Sequence, residues 1–450
     1  MGENGKNAAI FVVGAAAGAA AVFCLAKATS SGGKPASNGE DTKQLRRTTA
    51  AVSSALTPAD EDTVLRPYEH GARMMARLRQ ADNKRKGEEK AYEEDDEQRM
   101  IRTASIREDL IREASVERTR VVVRVPATSA NMGPGFDCLG MALSVWSEVT
   151  IERADKFEII YSGIGFEDVP LDETNLLVTG ARAAFKAAGK PMPPLRYTCV
   201  NRIPYARGMG SSSAAIIAGL IGGLVLAGHQ LPMWGHEELL QLACEIEGHP
   251  DNVAPVIYGG CQLGIHNHKR WITERVQLPP GIQVVLFIPD HIGKTSDARA
   301  VLKDEVERKD AVFSIGRIAW LVLALQSGNV NNLRAACEDR MHQPQRARQD
   351  AYKHVNPMID AAISAGADAA FLSGSGPTVA AITSGAAGDI FLQREKERVD
   401  KQVAEAMLGA AAGVGVRGET FITTPTDGGA YVVSAEPKFS EGAIRYPGDV

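Results

Sequence analysis

The stretch RGMGSSSAAI, residues 207 to 216, constrains the fold of this chain more than any other feature. A strand-like segment precedes it, and an uncharged, strongly apolar helical segment over residues 214 to 228 follows at once. Glycines let a ligand approach the backbone, serines cap helices, and a helix N-terminus offers unpaired amides with a fractional positive charge. The stretch therefore predicts a phosphate-binding turn, although a structural turn that caps a buried helix stays open. The lysine of the common phosphate loop is missing, so the phosphate needs another charge partner.

The first part of the chain differs in composition from the rest, and the change lies near residue 119. Residues 8 to 26 are uncharged and mostly apolar, and as a helix they would be roughly 28 Å long, enough to cross a bilayer. We expect residues 1–27 to be a targeting segment or membrane anchor, with disorder as the alternative. Residues 28–118 are polar and predict a disordered or helical linker. Targeting to an organelle such as a plastid, a membrane anchor and a cytoplasmic location all stay open.

From residue 120 onward, strand-like and helix-like segments interleave without strict alternation. This pattern predicts an α+β fold rather than a doubly wound parallel sheet. One strand is expected over residues 121–125, ending at Pro126, and another over 143–152, with 157–163 as its partner. Helical periodicity covers residues 176–188, 214–228, 237–247 and 315–326, and further strands are expected at 282–289 and 431–437.

Charge and cysteine spacing exclude some classes of function. The formal net charge is −5 and no basic stripe is interleaved with aromatic residues, so nucleic acid is not an expected partner. The six cysteines stand singly without a C-x-x-C pair, which argues against a disulfide framework and against a zinc site.

Three further segments carry polar groups beside turns. VPATSANMGPGFDCLGMAL, residues 125 to 143, sets an Asn and an Asp beside Gly-Pro-Gly in an otherwise apolar setting, which a turn alone does not require. EIEGHPDNVAPVIYGG, residues 245 to 260, places three acidic residues, a His and an Asn within eight positions. FLSGSGPTVAAI, residues 371 to 382, is another glycine turn between apolar runs. Together these segments favour a functional reading of the glycine–serine turn.

In this order the segments resemble the motifs of the GHMP kinases. PYARGMGSSSAA, residues 204 to 215, is similar to the phosphate loop of that superfamily, with Met209 where leucine is usual. The motifs VPATSANMGPGFDCLG and EGHPDNVAP, together with GKTSDARAVL (293 to 302) and DRMHQPQR (339 to 346), look specifically like the homoserine kinases. The resemblance covers roughly residues 120 to 435.

The resemblance implies a two-domain GHMP kinase fold of the α+β class. The N-terminal half, residues 119–285, would be like domain 2 of ribosomal protein S5 and would bind ATP. The C-terminal half, residues 286–435, would be ferredoxin-like, with a tail at 436–450. The implied reaction is transfer of the γ-phosphoryl of ATP, with Mg²⁺, to the hydroxyl of L-homoserine.

The resemblance also implies roles for individual residues at the acceptor. Asp251 would act as base or orienting group, and Asn252 and Thr295 would orient the reacting hydroxyl. For the substrate, paired arginines suit an α-carboxylate, and acidic and amide oxygens suit an ammonium or a hydroxyl. The substrate-binding residues are therefore expected to be Asn131, Asp137, His249, Arg299 and Arg346, with locking of a turn as the alternative role of His249.

The nucleotide site is expected to use the glycine–serine turn and its surroundings: Asn175, Pro204, Tyr205, Ala206, Arg207, Gly208, Met209, Gly210, Ser211, Ser212, Ser213, Ala214, Gly374 and Gly376. Ser212 is the expected hydroxyl ligand of Mg²⁺. In some homoserine kinases a glutamate lies ten residues before the aspartate, where this chain has Gln241. Glu245, Glu247 or no glutamate therefore stay open as the second ligand, with Glu247 favoured.

Other functions stay open on the sequence alone. Another GHMP kinase, such as mevalonate kinase or a sugar kinase, shares the phosphate loop, although a sugar would not require the two arginines. A non-catalytic protein with this fold, tethered by its N-terminal segment, is the alternative from a different class. A homodimer also stays open.

Overall fold

The computed structural model describes residues 11–16, 19–24, 116–165, 167–228, 235–384 and 398–439. Within these residues the strands are β1 (Phe11–Ala16), β2 (Ala19–Cys24), β3 (Arg120–Asn131), β4 (Gly135–Arg153), β5 (Glu158–Gly163), β6 (Leu195–Asn201), β7 (Cys261–His266), β8 (Trp271–Val276), β9 (Gln283–Pro289), β10 (Ala369–Leu372), β11 (Val379–Thr383), β12 (Gly418–Thr423) and β13 (Tyr431–Glu436). The helices are α1 (Leu176–Ala187), α2 (Ser211–Leu226), α3 (Gly235–Glu247), α4 (Pro250–Tyr258), α5 (Thr295–Ala300), α6 (Arg308–Ser327), α7 (Leu333–Ala336), α8 (Gln343–Arg346), α9 (Val355–Ser364) and α10 (Val399–Gly413), and 3₁₀ turns lie at Val330–Asn332 and Asp350–Tyr352.

The chain divides into two compact units, residues 1–105 and 106–450. In the first unit β1 and β2 pair antiparallel, with Phe11 opposite Cys24, so the expectation of a helix over residues 8 to 26 is wrong for the described part of that segment. Valines and phenylalanines in both strands favour extended backbone, which explains the difference. Residues 28–115 of the linker expected at 28–118, and residues 440–450 of the expected tail, lie outside the described residues.

The first sheet of the larger unit has seven strands in the order β13-β3-β4-β6-β5, and β7 joins it by pairing with β4 and β8. Strand β5 pairs parallel with β6, and the other ladders are antiparallel. The chain returns to this sheet at its end, because β13 pairs with β3. Helix α2 is apolar on every side and is buried between α1 and the sheet.

The second sheet has four antiparallel strands in the order β10-β11-β9-β12. Helices α9 and α10 pack on it around a core that includes Phe287, Met358, Leu372 and Met407. The expected boundary between the two halves lies between residues 285 and 286. It falls inside β9, all of which belongs to this second sheet.

Two strand predictions need correction. Strand β3 does not end at Pro126, because its register shifts between Pro126 and Ala127 and pairing with β4 resumes as far as Asn131. Proline removes one ladder hydrogen bond, and a bulge absorbs the loss. Segment 157–163 forms β5, but its partner is β6 and not β4. The four helices predicted after residue 120 are confirmed, with α6 beginning seven residues earlier than its periodic core.

Helix α6 is the one helix among the described residues that is long and apolar enough, by length and composition alone, to cross a membrane. One side of α6 packs into the protein, where Leu321, Ala324 and Leu325 are buried. On that side, α6 therefore belongs to the packed core of the protein.

Candidate active site

A cavity of about 310 Å³ lies at the start of α2 and reaches the β3–β4 turn and the first residues of α4 and α5. It brings together most of the residues that the sequence predicts for the site: Asn131, Asp137, Asn175, Tyr205, Ala206, Gly208, Gly210, Ser211, Ser212, Ala214, Glu247, His249, Asp251, Asn252, Thr295, Arg299, Arg346 and Gly374. Residues distant in the sequence are hydrogen-bonded here, such as Asn131 and Gly374, which lie 243 positions apart. The predicted motifs therefore form one site.

The phosphate turn is built from backbone. Gly208 and Gly210 have φ angles of 78° and 71°, in the left-handed region that favours glycine. A Cβ on Gly208 would lie 2.3 Å from the carbonyl oxygen of Ser373, and one on Gly210 would lie 1.9 Å from Thr128 Oγ1. The first bond from residue i to i−4 in α2 joins the amide of Ala214 to Gly210 O, so the amides before it are directed at the helix N-terminus. An anion fits there.

The three serines do not cap α2, contrary to the expectation for a serine at a helix start. The N-cap residue is Gly210, and no side chain caps it. Ser211 Oγ accepts a hydrogen bond from the amide of Ala206 at 3.2 Å, which closes the turn. Ser212 and Ser213 donate their hydroxyl hydrogens to Glu247 Oε1, at 2.8 and 3.1 Å.

The carboxylate beside Ser212 belongs to Glu247, the residue favoured by the sequence, whereas Glu245 is exposed and does not line the cavity. Gln241 binds the backbone amide and carbonyl of Trp271 through its own amide group, so it ties α3 to β8. Two hydroxyls and one carboxylate thus meet at the phosphate turn.

Five residues predicted for nucleotide binding do not line this cavity: Pro204, Arg207, Met209, Ser213 and Gly376. Arg207 donates to the backbone oxygens of Pro289, Tyr205 and Asp290, at 2.9, 3.1 and 2.6 Å. It lines a second cavity, of about 460 Å³, and ties the phosphate turn to the end of β9. Its side chain shapes the turn.

The turn between β10 and β11 supports the phosphate turn from the second sheet. Ser373 Oγ donates to Gly208 O at 2.7 Å, and the amide of Thr378 donates to Arg207 O at 3.2 Å. Gly374 (φ 55°) donates its amide to Ala130 O at 3.0 Å. The third glycine motif therefore contacts the first.

A chain of hydrogen bonds runs through the motif at the start of α4. His249 Nδ1 is hydrogen-bonded to Asp251 Oδ1, and Asn252 Nδ2 donates to the same oxygen at 3.2 Å. Thr128 Oγ1 donates to Asn252 Oδ1 at 2.6 Å. Sequence reasoning missed Thr128, although it stands inside the motif of residues 125 to 143. The chain holds the Asp251 carboxylate and the Asn252 amide in fixed orientations.

The charges around His249 change its acidity. Burial opposes the charged imidazolium, but the hydrogen bond and the charge of Asp251, with smaller contributions from Asp137 and Glu247, raise the pKa of His249 above its usual value. One donor atom each of Asp137, His249 and Asp251 lies within 4.8 Å of the others. This cluster offers a negative environment to a cationic group.

Asp137 and Arg299 face each other at the other end of the cavity. Arg299 Nη1 and Nη2 donate to the two carboxylate oxygens of Asp137, at 2.9 and 2.7 Å. Burial, followed by the charges of Asp251 and Asp137, raises the pKa of the neighbouring Cys138 to about 11, so this thiol stays protonated at neutral pH.

Arg346 is buried, and burial lowers its pKa from the usual value. Its Nε donates to Ala298 O at 3.1 Å, and its Nη1 lies 3.1 Å from Gly374 O and 3.0 Å from His342 Nδ1. The guanidinium carbons of Arg299 and Arg346 lie 5.5 and 5.6 Å from the ring centroid of Phe136. Sequence reasoning missed Phe136, the aromatic residue directly after Gly-Pro-Gly, whose ring lies beside both cations.

Two of the three predicted asparagines, Asn131 and Asn175, are bound to backbone, and Thr295 is more accessible. Asn131, at φ 68°, donates to Gly374 O at 2.8 Å and accepts from the amide of Asp137 at 3.0 Å. Asn175 caps α1 by accepting from the amide of Leu177 at 2.9 Å. Thr295 begins α5, and its Oγ1 lies 3.3 Å from Ser375 Oγ.

Known proteins share this organisation. The GHMP kinase N-terminal domain matches residues 175–260, and the GHMP kinase C-terminal domain matches residues 321–409. The chain is 39% identical over 312 residues to the homoserine kinase of Moorella thermoacetica, which covers 69% of this chain and 99% of that relative. It is 41% identical over 269 residues to the homoserine kinase of a Synechococcus species. That alignment covers 59% of this chain and 86% of the relative.

A solved structure confirms the fold. The crystal structure of homoserine kinase from Cytophaga hutchinsonii superposes with a TM-score of 0.60 at 24% identity, covering 71% of this chain and 99% of that one. The α+β, two-domain GHMP kinase fold expected from the sequence is therefore confirmed. The chain belongs to the homoserine kinases, a family of ATP-dependent small-molecule kinases within the GHMP superfamily.

Proposed function

We propose that this chain transfers the γ-phosphoryl group of ATP to the side-chain hydroxyl of L-homoserine, giving O-phospho-L-homoserine and ADP. One observation carries the proposal: a single cavity joins a glycine-built helix N-terminus to a cluster of paired acidic and arginine side chains. The names of the relatives agree with this substrate.

At the nucleotide end, the backbone amides of the phosphate turn would bind the phosphate oxygens. The donor set of Ser212 and Glu247, which both line the cavity, fits Mg²⁺, because hard oxygen atoms of one carboxylate and a nearby hydroxyl are what this ion prefers alongside phosphate. When bound, Mg²⁺ neutralises phosphate charge.

At the acceptor end, homoserine brings one carboxylate and one ammonium group. Arg299 uses two of its N–H groups on Asp137, and the others are able to bind the substrate carboxylate together with Arg346. The carboxylate of Asp137, within the cluster that also contains His249 and Asp251, suits the ammonium.

The reacting hydroxyl needs orientation more than activation, since phosphoryl transfer is mostly positioning and charge stabilisation. Asp251, held by His249 and Asn252, would accept the hydrogen bond and then the proton of the hydroxyl. Thr295 would fix the direction of attack.

A coupled ADP-release assay with homoserine, mevalonate, galactose and serine tests the proposal. We expect rapid turnover with homoserine alone, with O-phosphohomoserine identified by mass spectrometry. Faster turnover with mevalonate or galactose, or no turnover with any acceptor, would contradict it.

For residues 1–27, a role in organelle targeting or membrane anchoring stays a proposal, with a cytoplasmic enzyme as the alternative. Both family matches lie in the unit of residues 106–450. Deletion of residues 1–105 should therefore leave kcat with homoserine nearly unchanged, and fusion of residues 1–105 to a fluorescent protein should move that protein to an organelle or membrane. A diffuse fusion protein would contradict the targeting role.

A further inference from the structure

Arg346 is held at the cavity by acceptors that carry no charge. Its Nε donates to Ala298 O at 3.1 Å. Its Nη1 lies 3.1 Å from Gly374 O and 3.0 Å from His342 Nδ1, so both hydrogens of that nitrogen have an acceptor. Three of the five guanidinium hydrogens are thus bound, and Nη2 has no hydrogen-bond partner among the described residues. The guanidinium is fixed from one side and keeps two donors for a ligand.

Arg299, which lines the same cavity, is held in the opposite way. Both of its terminal nitrogens donate to the carboxylate of Asp137, so a negative charge already faces this cation. Arg346 forms no ion pair with a described residue, although its exposed fraction is only 2%. Burial of a cation is unfavourable unless an anion pairs with it. Arg346 is therefore suited to bind the substrate carboxylate, provided that its Nη2 points in the right direction.

His342 supplies its acceptor to Arg346 in one tautomer only. An arginine nitrogen donates and never accepts, so the contact at 3.0 Å requires an unprotonated Nδ1. The other ring nitrogen, Nε2, lies 2.8 Å from Gly133 O, which only accepts, and therefore carries the hydrogen. The ring is completely buried and stacks on Phe136, with the two centroids 5.2 Å apart. These contacts fix the plane of the ring and the direction of its lone pair.

The groups around His342 favour the neutral ring. Burial and the positive charge of Arg346 lower the pKa of His342 from its usual value, against the charges of Asp339 and Asp137 and the hydrogen bond to Gly133. The carboxylate of Asp339 accepts three backbone amides at the start of α8, at 2.8 Å each, and its Oδ2 lies 3.6 Å from the ring Nε2. An imidazolium here would turn an N–H toward a guanidinium and add a second positive charge.

We propose that His342 is a positioning residue for the acceptor substrate: as a neutral hydrogen-bond acceptor it directs Arg346 Nη2 toward the substrate carboxylate without neutralising the guanidinium. This inference rests on the proposed function, because it explains how one of the two arginines at the carboxylate is oriented. A carboxylate at position 342 would also hold the guanidinium, but it would compete with the substrate for the positive charge. His342 does not line the cavity, so it acts on the substrate only through Arg346.

Steady-state kinetics of three variants of the full chain test the proposal. In His342→Asn the amide oxygen is as many bonds from the backbone as Nδ1, so it restores an acceptor for Arg346. In His342→Gln the amide lies one carbon further out, where Nε2 serves Gly133, and His342→Phe keeps only the stacked ring. We expect the KM for homoserine to rise about tenfold in His342→Gln and His342→Phe but less than about threefold in His342→Asn. The kcat and the KM for ATP should change less than about twofold in all three, since the phosphate turn is untouched.

His354→Gln is the matched control. His354 is also completely buried, and its Nε2 lies 2.8 Å from Pro377 O, but its Nδ1 has no partner among the described residues. This variant should keep both KM values of the wild type. Equal KM values for homoserine in His342→Asn and His342→Gln, or parallel rises for both substrates, would overturn the inference and leave the proposed function standing. A wild type that does not phosphorylate homoserine would overturn both.

A measurement on the wild-type chain keeps the test decisive if the variants misfold. Nuclear magnetic resonance of protein labelled with ¹⁵N in its histidines reports which ring nitrogen carries hydrogen, and loss of one signal in His342→Asn assigns it. We expect His342 to be neutral, with its hydrogen on Nε2, even at about pH 6, where an ordinary histidine is mostly protonated. A ring protonated at that pH, or hydrogen on Nδ1 of a neutral ring, would overturn the proposal.

Discussion

The two ends of the active-site cavity are built in different ways. At the phosphate turn, glycine backbone and helix amides form the surface, and Gly208 and Gly210 cannot accept a Cβ without contact below 2.4 Å. At the acceptor end, charged side chains form it, with Asp137 and Arg299 joined by two hydrogen bonds. The first surface is fixed by chain conformation, and the second by the choice of side chains.

This difference separates two kinds of recognition. Backbone amides recognise phosphate oxygens whatever acceptor the enzyme uses, which suits a turn that is similar across a superfamily. Side chains with fixed charges recognise one arrangement of carboxylate, ammonium and hydroxyl. Changes at the two ends should therefore affect the two substrates separately, and four variants test this separation.

The largest effect is expected from Gly210→Ala. Its Cβ would collide with Thr128 Oγ1, so the turn must move and several amide bonds to phosphate should be lost, which lowers nucleotide affinity by about 100-fold or more. Gly189→Ala is the matched control: Gly189 also has a left-handed φ, of 64°, but no atom lies within 4 Å of the added Cβ. Titration calorimetry with a non-hydrolysable ATP analogue measures both. Wild-type nucleotide affinity in a folded Gly210→Ala would contradict the claim that the backbone of this turn binds the phosphates.

A smaller effect, confined to the other substrate, is expected from Arg299→Ala. Loss of the charged donors should raise the KM for homoserine about 30-fold while the KM for ATP changes little. Arg196→Ala is the control, since the exposed fraction of the Arg196 side chain is 41% against 39% for Arg299 and it also pairs with carboxylates. Steady-state kinetics decide, and equal rises in both KM values would show that the ends are not separate.

Ser212→Ala should have a moderate effect, because one side-chain oxygen is removed from an end that is mostly backbone. We expect kcat/KM to fall about tenfold and the Mg²⁺ concentration for half-maximal rate to rise. In Ser211→Ala the lost hydroxyl serves the Ala206 amide rather than Glu247, so its Mg²⁺ dependence should stay normal. An unchanged Mg²⁺ dependence in Ser212→Ala would exclude this residue as a ligand.

The smallest effect is expected from Cys138→Ala. With a pKa of about 11 the thiol is protonated and is a poor nucleophile, so kcat should change less than about twofold, and inactivation by iodoacetamide at pH 7.5 should be slow. A tenfold loss of kcat in a folded Cys138→Ala would contradict this prediction, because it would give the thiol a role at the acceptor end.

Local signals were sufficient for much of the fold and for the phosphate turn. The apolar helix α2, the glycines before it and the motif around Asp251 are short stretches whose conformation depends on near neighbours. Position alone favours Glu247, and the structure places it beside Ser212. The same reasoning could not find the partner of β5 or the continuation of β3 past Pro126, because pairing depends on strands distant in the sequence.

The direction in which each side chain points was the other property that the sequence did not predict. A motif shows which residues lie in a turn but not which of them face the ligand, and Arg207 binds backbone on the far side. The pairing of Asp137 with Arg299 joins residues 162 positions apart, and burial of Arg346 depends on α8 and the β10–β11 turn together. Thr128 was missed because a threonine in a strand carries no functional signal by itself.

A crystal structure with a non-hydrolysable ATP analogue, Mg²⁺ and homoserine tests the central claim most directly. We expect the β- and γ-phosphate oxygens within hydrogen-bond distance of the amides of residues 210–213, with the homoserine carboxylate on Arg299 and Arg346. A triphosphate held by side chains elsewhere, with the turn of residues 208–213 packed and empty, would contradict it.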